Sequence, residues 1–317
     1  MIRVAILDDY MKIALKRADW SVLPNDVQLQ VFHHHLGGEE EVAKALADFD
    51  VLLAMRERTP FPASLLCRLP KLKLLVTTGM RNLSIDLDAA RAQGIDVCGT
   101  ASLPYPAFEH AWALILGLAK NIASEDRLMH EGGWQIDATA GLNGRTLGVM
   151  GLGKLGAQAA RVGKAFEMNV IAWSQNLTDE RAAEVGVTRV DQETLFAESD
   201  FLTIHQILSD RTRGLVGAAQ LALMKPTAYL INTSRGPIVN EAALIDALRE
   251  RKIAGAGLDV YDVEPLPADH ALRSLDNALL TGHTGYSTRE AFGVMYGQCL
   301  ECVAAWFDRK PIRVLNS

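Results

Sequence analysis

The segment GLGKLG at 151–156 constrains the fold of this 317-residue chain more than any other. It lies directly between a strand-like run, TLGVM, and a helical pattern, AQAARVGKAF. In a strand-turn-helix unit the first glycine allows a tight turn, the second lets the backbone approach a diphosphate, and the third lets helix and strand pack closely. The free N–H groups at the start of the helix favour an anion. We therefore expect a dinucleotide site formed by Gly151, Gly153, Lys154, Leu155 and Gly156.

Strands and helices alternate over most of the chain. Five strand-like runs occur in the first hundred residues, at 2–7, 29–33, 51–54, 72–77 and 95–98. Six more follow, at 146–150, 169–173, 200–205, 227–232, 255–260 and 277–281. Such alternation implies right-handed crossovers onto parallel sheets. At roughly 150 residues per domain, the chain is expected to form two doubly wound α/β domains.

Two helical segments flank the second alternation. The segment 107–134, AFEHAWALILGLAKNIASEDRLMHEGGW, predicts a long helix that is apolar on too many faces to lie on a surface. We expect it to be buried between the two domains. The segment 288–310 also has helical periodicity.

Composition excludes several classes of protein. With 32 basic and 38 acidic side chains the formal charge is -6, which gives no reason to expect nucleic acid or an anionic membrane as a partner. The longest strongly apolar stretch, 111–119, is about half of the roughly 20 residues that cross a bilayer. The N-terminus does not have the pattern of a secretory signal. The four cysteines are therefore expected to be thiols, and the protein to be cytoplasmic.

Polar residues follow several strands of the second alternation, at the sheet edge where open α/β sheets bind ligands. They are His205, Thr233, Ser234, Arg235, Asp259, Glu264 and His283. Arg235 has a planar fork for a carboxylate or carbonyl, His283 can exchange a proton near neutral pH, and Glu264 can pair with the charged imidazole. Hydride transfer between a nicotinamide and a 2-hydroxy acid needs these three roles from the protein. The hydride itself comes from the cofactor.

The residues after the strand at 169–173 concern the choice of cofactor. An acid that binds the ribose diol is expected roughly 20 residues after the glycines, but Ser174, Gln175 and Asn176 stand there. No acid repels a 2′-phosphate, and no adjacent arginine attracts one. We therefore expect Ser174 and Gln175 to line a site for NAD or NADP, with NAD slightly favoured. Lys154 and Arg181 are the nearest basic residues in sequence, and Lys154 is expected to face the diphosphate.

Four segments resemble, in order, the signatures of the D-isomer-specific 2-hydroxyacid dehydrogenases, of the phosphoglycerate dehydrogenase and glyoxylate-hydroxypyruvate reductase type. They are GLGKLG, INTSRGPIVNEAAL, GAGLDVYDVEPL and GHTGYSTREAF. The resemblance implies an NAD(P)-dependent, D-specific dehydrogenase of 2-hydroxy acids. By this resemblance Arg235 orients the substrate, Glu264 is the carboxylate of the acid-base relay, and His283 is its catalytic histidine. His205 matches a position that lines the cofactor, although the Gln-Ile-Leu after it replaces the usual proline-containing stretch.

The resemblance also implies a substrate loop and a domain layout. TTGMRNLSIDL resembles the loop whose backbone N–H groups hold the substrate carboxylate, here at Thr78, Gly79 and Met80, where the family more often has a smaller residue than Met80. Arg56 or Arg58, after the third strand, is expected to contact the substrate. The substrate-binding domain is expected at 1–100 plus 288–317 and the dinucleotide-binding domain at 101–287, with the active site in the cleft between them. The resemblance implies a homodimer joined through the nucleotide domain, with the apolar 107–131 segment contributing.

Two motifs that resemble metal or redox sites have simpler interpretations. Cys299 and Cys302 have suitable spacing, but no second pair accompanies them, so they are expected to be packing residues of a helix. The run His33, His34 and His35 ends a predicted strand, where alternate side chains point to opposite faces. We therefore expect no metal site.

A rival function is a dinucleotide-sensing binding protein similar to the C-terminal-binding corepressors, which share the fold and the Arg-Glu-His triad. The absence of a disordered extension beyond the two domains argues against it. Turnover of any 2-keto acid would decide between the two functions.

Overall fold

The structure, a computed structural model that describes residues 1–317, contains twelve strands and twelve α-helices. The strands are β1 (Ile2–Ile6), β2 (Val27–Val31), β3 (Val51–Ala54), β4 (Leu74–Thr77), β5 (Asp96–Gly99), β6 (Thr146–Met150), β7 (Asn169–Trp173), β8 (Thr188–Arg189), β9 (Phe201–Ile204), β10 (Tyr229–Asn232), β11 (Gly255–Leu258) and β12 (Ala278–Leu280). The helices are α1 (Ala14–Arg17), α2 (Glu39–Leu46), α3 (Ala63–Leu66), α4 (Leu87–Ala92), α5 (Pro106–Ala119), α6 (Ile122–His130), α7 (Lys154–Ala165), α8 (Asp179–Val185), α9 (Gln192–Glu198), α10 (Ala218–Leu223), α11 (Glu241–Arg249) and α12 (Arg289–Phe307). Short 3₁₀ turns occur at Trp20–Val22, Gly236–Ile238 and Ala271–Ser274.

The chain divides into two units. Unit 1 comprises Met1–Leu103 and Ser287–Ser317, and unit 2 comprises Pro104–Tyr286. These limits lie within a few residues of the predicted boundaries at 100/101 and 287/288. The roles of the two units and the location of the active site stay predictions.

Unit 1 contains a five-stranded sheet with the order β2-β1-β3-β4-β5. All of its strand pairs are parallel. Every residue of β3 and β4 is buried, which explains why both are continuous apolar runs: helices cover the two faces of such a sheet. The C-terminal helix α12 contacts β4 and α1. Its buried residues include Phe292, Met295, Cys299 and Val303, a helical spacing that forms one apolar face.

Unit 2 contains a seven-stranded parallel sheet with the order β12-β11-β10-β9-β6-β7-β8. The chain starts at β6, extends outward through β7 and β8, then crosses back to β9 beside β6. The strand order therefore reverses between β6 and β9, and ligands of doubly wound sheets bind at the carboxyl ends of the strands at such a point. The prediction of two doubly wound parallel sheets is confirmed. Strand β8 was not predicted, because it is two exposed residues without an apolar pattern.

The prediction of one long buried helix over 107–134 is wrong. Helix α5 ends at Ala119, and α6 starts at Ile122 after Asn121, which has a left-handed φ of 52°. Helix α5 buries Trp112, Ile115 and Leu118 and packs against α7, β10 and β11 of its own unit, whereas α6 has no buried residue. The apolar pattern belongs to α5 alone, and the charged residues that follow keep α6 at the surface. No helix combines the length and the apolar composition that a membrane span requires.

Candidate active site

The glycine turn between β6 and α7 leaves one open position above the start of the helix. Gly151 has φ 103°, and a Cβ there would lie 2.6 Å from the carbonyl oxygen of His205. A Cβ on Gly156 would lie 1.9 Å from the carbonyl oxygen of Gly151. A Cβ on Gly153, the exposed N-cap of α7, would meet nothing within 4 Å. The turn therefore fits a diphosphate that approaches the backbone at Gly153 and the N-terminus of α7, where Lys154 is exposed.

A cavity of about 490 Å³ adjoins the end of β7. Ser174, Gln175 and Asn176 line it, together with Gln206 and Arg211. No carboxylate is among the lining residues, as the sequence indicated. Sequence reasoning missed Arg211, because the fold brings this cation to the cavity from a distant loop after β9. The lining combines these polar side chains with the apolar Trp173 and Leu215, a mixture that suits an adenosine ribose.

His205 lies at the carboxyl end of β9, beside the glycine turn. The backbone N–H of His205 donates to the carbonyl oxygen of Met150 at 2.8 Å, and Nε2 of its ring lies 3.0 Å from Oγ1 of Thr203. Burial lowers the pKa of His205 to about 4, so the imidazole is neutral at pH 7. The uncharged ring is therefore expected to line the predicted cofactor site.

The loop after β10 presents Thr233, Ser234 and Arg235. Buried Asn232 holds this loop, because its Nδ2 donates to the carbonyl oxygen of Arg235 at 3.0 Å and its Oδ1 accepts the N–H of Ser234 at 3.0 Å. The Ser234 hydroxyl donates to the carbonyl oxygen of Ile204 at 2.7 Å, which ties the loop to the end of β9. Thr233 lies half-buried beside them. Asn232 is a positioning residue that sequence reasoning missed, since it reads as the last residue of a strand.

The Arg235 side chain lies on the same loop and is half-buried. Its Nη1 donates to the carbonyl oxygen of Ser234 at 2.7 Å. The next residue, Gly236, approaches the backbone of Tyr261 so closely that a Cβ would lie 2.1 Å from the Tyr261 carbonyl carbon. This contact places the arginine loop against the loop that carries Glu264.

Glu264 and His283 form a direct pair. Oε2 of Glu264 lies 2.5 Å from Nδ1 of His283, and Oε1 accepts the N–H of Tyr261 at 3.0 Å. The two side chains are 26% and 18% exposed, so the pair is largely shielded from water. A carboxylate on Nδ1 orients the ring and stabilises its charged form. The arrangement can hold a proton on the imidazole and exchange it at Nε2.

Asp259 anchors the loop that carries His283. The side chain is 1% exposed, and its Oδ1 accepts the hydroxyl of Thr281 at 2.6 Å and the N–H of Thr284 at 2.8 Å. Its Oδ2 accepts the N–H of Gly285 at 2.8 Å. Burial by itself raises the pKa of a carboxyl group, but the hydrogen bonds and nearby imidazole outweigh it and hold the pKa of Asp259 below its usual range. The carboxylate therefore points into the His283 loop, and its predicted contact with the cofactor stays a prediction.

The predicted substrate loop of unit 1 follows β4. Gly79 has φ 117°, and Met80 is 50% exposed. The N–H of Thr78 donates to the carbonyl oxygen of Ala54 at 3.0 Å, and that of Gly79 to Oγ1 of Thr100 at 2.9 Å. Two of the three predicted amide donors therefore already have acceptors within unit 1.

Arg56 belongs to the same group of residues. It adopts a left-handed φ of 52°, its N–H donates to Oγ1 of Thr78 at 2.9 Å, and its Nη1 donates to the carbonyl oxygen of Thr78 at 3.2 Å. A Cβ on Gly79 would lie 2.3 Å from Nη1 of Arg56. The structure thus brings a guanidinium group to the loop, where it can supply the charge that an anionic substrate needs.

The two motifs with metal-like or redox-like spacing are both explained by packing or by nearby carboxylates. Cys299 and Cys302 are buried free thiols on the inner face of α12. Nδ1 of His33 lies 3.6 Å from the Asp9 carboxylate. Nδ1 of His35 lies 3.6 Å from the carboxylate of the neighbouring Asp8. The two imidazoles therefore face different carboxylates.

Comparison with known proteins gives consistent matches. Residues 112–285 match the family described as D-isomer specific 2-hydroxyacid dehydrogenase, NAD binding domain. A glyoxylate reductase of Aeropyrum pernix is 39% identical over 263 residues, which cover 80% of this chain and 78% of the relative. A D-3-phosphoglycerate dehydrogenase of Archaeoglobus fulgidus is 38% identical over 255 residues, which cover 80% of this chain and 48% of the relative.

A solved structure shows the same fold along the whole chain. The phosphoglycerate oxidoreductase of Vibrio cholerae superposes with a TM-score of 0.92 at 32% identity and covers 98% of this chain and 100% of that one. By contrast, the chain spans about half the length of the D-3-phosphoglycerate dehydrogenases that it matches.

Proposed function

The chain belongs to the D-isomer specific 2-hydroxyacid dehydrogenase family, and we propose that it transfers hydride between a nicotinamide dinucleotide and a 2-keto or 2-hydroxy acid. The family expected from the four signature segments is thus confirmed, and its NAD binding domain model supports the expected nicotinamide cofactor. The observation that carries the proposed activity is the pair of Glu264 and His283, 2.5 Å apart, on the loops after β11 and β12 of the sheet that also holds the glycine turn. A shielded acid-base pair beside a dinucleotide site is what this reaction requires.

The proposed step in the reducing direction is protonation of the substrate carbonyl oxygen by His283. Its Nδ1 is bound to Glu264, so Nε2 is the nitrogen that gives the proton. Glu264 fixes the orientation of the ring and stabilises the imidazolium before the transfer. Arg235 orients the carboxylate or carbonyl of the substrate with its planar fork. When bound, the reduced nicotinamide supplies the hydride for the carbonyl carbon.

The proposed cofactor site consists of the glycine turn and the cavity at the end of β7. Gly153 and Lys154 would hold the diphosphate at the N-terminus of α7. Ser174 and Gln175 would bind the ribose. The cavity has no lining carboxylate, and Arg211 contributes a cation, so this site admits NADP as well as NAD.

The proposed substrate class is small 2-keto acids and the matching D-2-hydroxy acids. Support comes from relatives named for glyoxylate and 3-phosphoglycerate and from the group of Arg56, Thr78, Gly79 and Met80 in unit 1. We assign binding of the substrate carboxylate to Arg56, as the charged member, and to the N–H of Met80, because the N–H groups of Thr78 and Gly79 already donate within unit 1.

The test is a panel of 2-keto acids, each supplied with NADH or NADPH, with chiral analysis of the product. We expect oxidation of the reduced cofactor that depends on the keto acid, and a D-2-hydroxy acid as the product. Tight binding of the dinucleotide without turnover of any keto acid would contradict the enzyme and support the dinucleotide-sensing binding protein instead.

We also propose that the protein is a homodimer joined through unit 2. Large apolar side chains on α6 and the segment after it are exposed: Ile122 57%, Met129 51%, Trp134 74% and Ile136 49%. Clusters of this kind are typical of protein interfaces. Light scattering coupled to gel filtration should give twice the chain mass, and a monomer at every concentration would contradict the assembly.

The free thiols support a cytoplasmic location as part of the same proposal.

A further inference from the structure

His110, near the start of α5, faces the two side chains that hold the His283 loop. Its Nε2 lies 2.8 Å from Oγ1 of Thr281 and 3.3 Å from Oδ1 of Asp259. The imidazole is 20% exposed. None of the signature segments contains His110, and the proposed mechanism leaves it without a role.

The direction of these hydrogen bonds follows from the number of protons. A carboxylate only accepts, so the 2.6 Å contact between Thr281 and Asp259 uses the single hydroxyl proton of Thr281. Oγ1 of Thr281 can then only accept from His110, which means that Nε2 of His110 carries a hydrogen. The result is a chain of hydrogen bonds that all point from His110 towards Asp259. Each bond in such a chain strengthens the next.

The far end of this chain fixes the backbone on the C-terminal side of His283. Asp259 accepts the N–H groups of Thr284 and Gly285, directly after the histidine. His283 itself has a left-handed φ of 53°, which is strained for a residue other than glycine and persists only where neighbouring contacts enforce it. A Cβ on Gly285 would lie 2.8 Å from Oδ2 of Asp259 and 3.6 Å from Cβ of His110, so the packing leaves little slack.

We propose that His110 is a positioning residue for the proton transfer by His283 and acts through Thr281 and Asp259. The proposal rests on the proposed dehydrogenase function. Without the imidazole, Oγ1 of Thr281 loses its hydrogen-bond donor. The hydroxyl proton of Thr281 can then turn to the carbonyl oxygen of Leu258, 3.5 Å away. The buried Asp259 would then lose one of its hydrogen bonds, and its carboxylate would hold the His283 loop less firmly. His110 touches Thr281 and Asp259 and acts through them.

The kinetic test compares His110→Ala with His110→Gln, whose amide nitrogen can take the place of Nε2 as donor. We expect His110→Ala to lower kcat about tenfold or more, while KM for the keto acid and Kd for NADH stay within about twofold. His110→Gln should recover most of the loss. The matched control is His270→Ala, because His270 is also 20% exposed and paired with a carboxylate, 3.0 Å from Glu241. Unchanged kcat in His110→Ala, an equal loss in His110→Gln, or an equal loss in His270→Ala would overturn the proposal.

A second variant keeps the test decisive if His110→Ala folds poorly. Thr281→Val removes the hydroxyl relay with little change of shape, and we expect the same loss of kcat as in His110→Ala. Combining His110→Ala with Thr281→Val should cost no more than Thr281→Val alone, because both changes break one chain of hydrogen bonds. Additive losses would overturn the proposal.

A readout without turnover separates this proposal from the proposed function. In protein with ¹⁵N-labelled histidine, the Nδ1 proton of His283, assigned by its loss in His283→Ala, reports the bond to Glu264. We expect this resonance to shift in His110→Ala and to return in His110→Gln. An unshifted resonance would overturn the positioning role. Absence of turnover by the wild-type protein would overturn the dehydrogenase function alone.

Discussion

The three glycines of the turn between β6 and α7 should respond differently to an added methyl group. In Gly156→Ala the new Cβ would lie 1.9 Å from the carbonyl oxygen of Gly151, a backbone atom, so the start of α7 must move away from β6. In Gly153→Ala the methyl would meet nothing within 4 Å, and the φ of -76° suits any residue. The first variant therefore perturbs the protein itself, and the second perturbs only what binds to it.

The magnitudes follow from these contacts. Overpacking of a tight contact costs about 1 to 3 kcal/mol, so Gly156→Ala should lower stability by that amount. For a domain of this size that corresponds to a fall in Tm of about 2 to 12 °C. At the N-cap, alanine in place of glycine costs at most about 1 kcal/mol. A methyl group where the diphosphate approaches the backbone should weaken NADH binding about tenfold or more, or at least about 1.4 kcal/mol.

The assay is a thermal melt of each variant together with a titration of NADH followed by fluorescence. We expect a lowered Tm for Gly156→Ala, and a Tm close to that of the wild type with a raised Kd for Gly153→Ala. A Gly153→Ala variant that binds NADH as the wild type does would refute the location of the diphosphate. An unchanged Tm in Gly156→Ala would refute the close packing of α7 on β6.

Three further outcomes follow from the geometry. Arg235→Lys should lower kcat/KM for the keto acid about tenfold or more, because a point charge cannot reproduce a two-pronged grip, and steady-state kinetics near wild type would contradict that role. Ser174→Asp should shift the ratio of kcat/KM for NADH over NADPH about tenfold or more towards NADH, and an unchanged ratio would mean that Ser174 does not face the ribose. His205 has a pKa of about 4 in the folded protein against the usual 6.5, so between these values the unfolded chain takes up a proton that the folded protein does not. The free energy of unfolding is therefore highest above about pH 6.5 with respect to this group. It decreases as the pH falls towards 4, by up to about 3 kcal/mol. His205→Gln should flatten this part of the pH dependence of urea unfolding, and the same slope in the variant would contradict the burial of the imidazole.

Much of the fold could be predicted because its signals are local in sequence. Strands β3, β6 and β7 have the predicted limits, since each is a short apolar run bounded by turn residues. The glycine turn could be recognised because its spacing lies within one strand-turn-helix unit, and Gly156 is required by its contact with Gly151, five residues earlier. The break between α5 and α6 could not be predicted, because it depends on the left-handed conformation of Asn121. An asparagine in a helical pattern does not by itself indicate that conformation.

The parts of the site that escaped prediction depend on contacts between distant segments. Arg211 lines the cavity of Ser174 although a loop after another strand carries it. His110 meets Asp259 because α5 packs on β11, and no spacing in the sequence indicates that contact. The orientation of Asp259 into the His283 loop likewise requires the fold. Sequence patterns thus indicated the side chains that are proposed to react, whereas the residues that position them became visible only in three dimensions.

The most direct test of the central claim is the rate at which His283→Ala oxidises NADH with a 2-keto acid that the wild type reduces, measured beside its Kd for NADH. We expect kcat to fall by a factor of about 10² to 10⁴ while the Kd for NADH is little changed, because only the proton donor is removed. Turnover by His283→Ala at the wild-type rate would contradict the role of His283 as the proton donor, since the proton would then have another source.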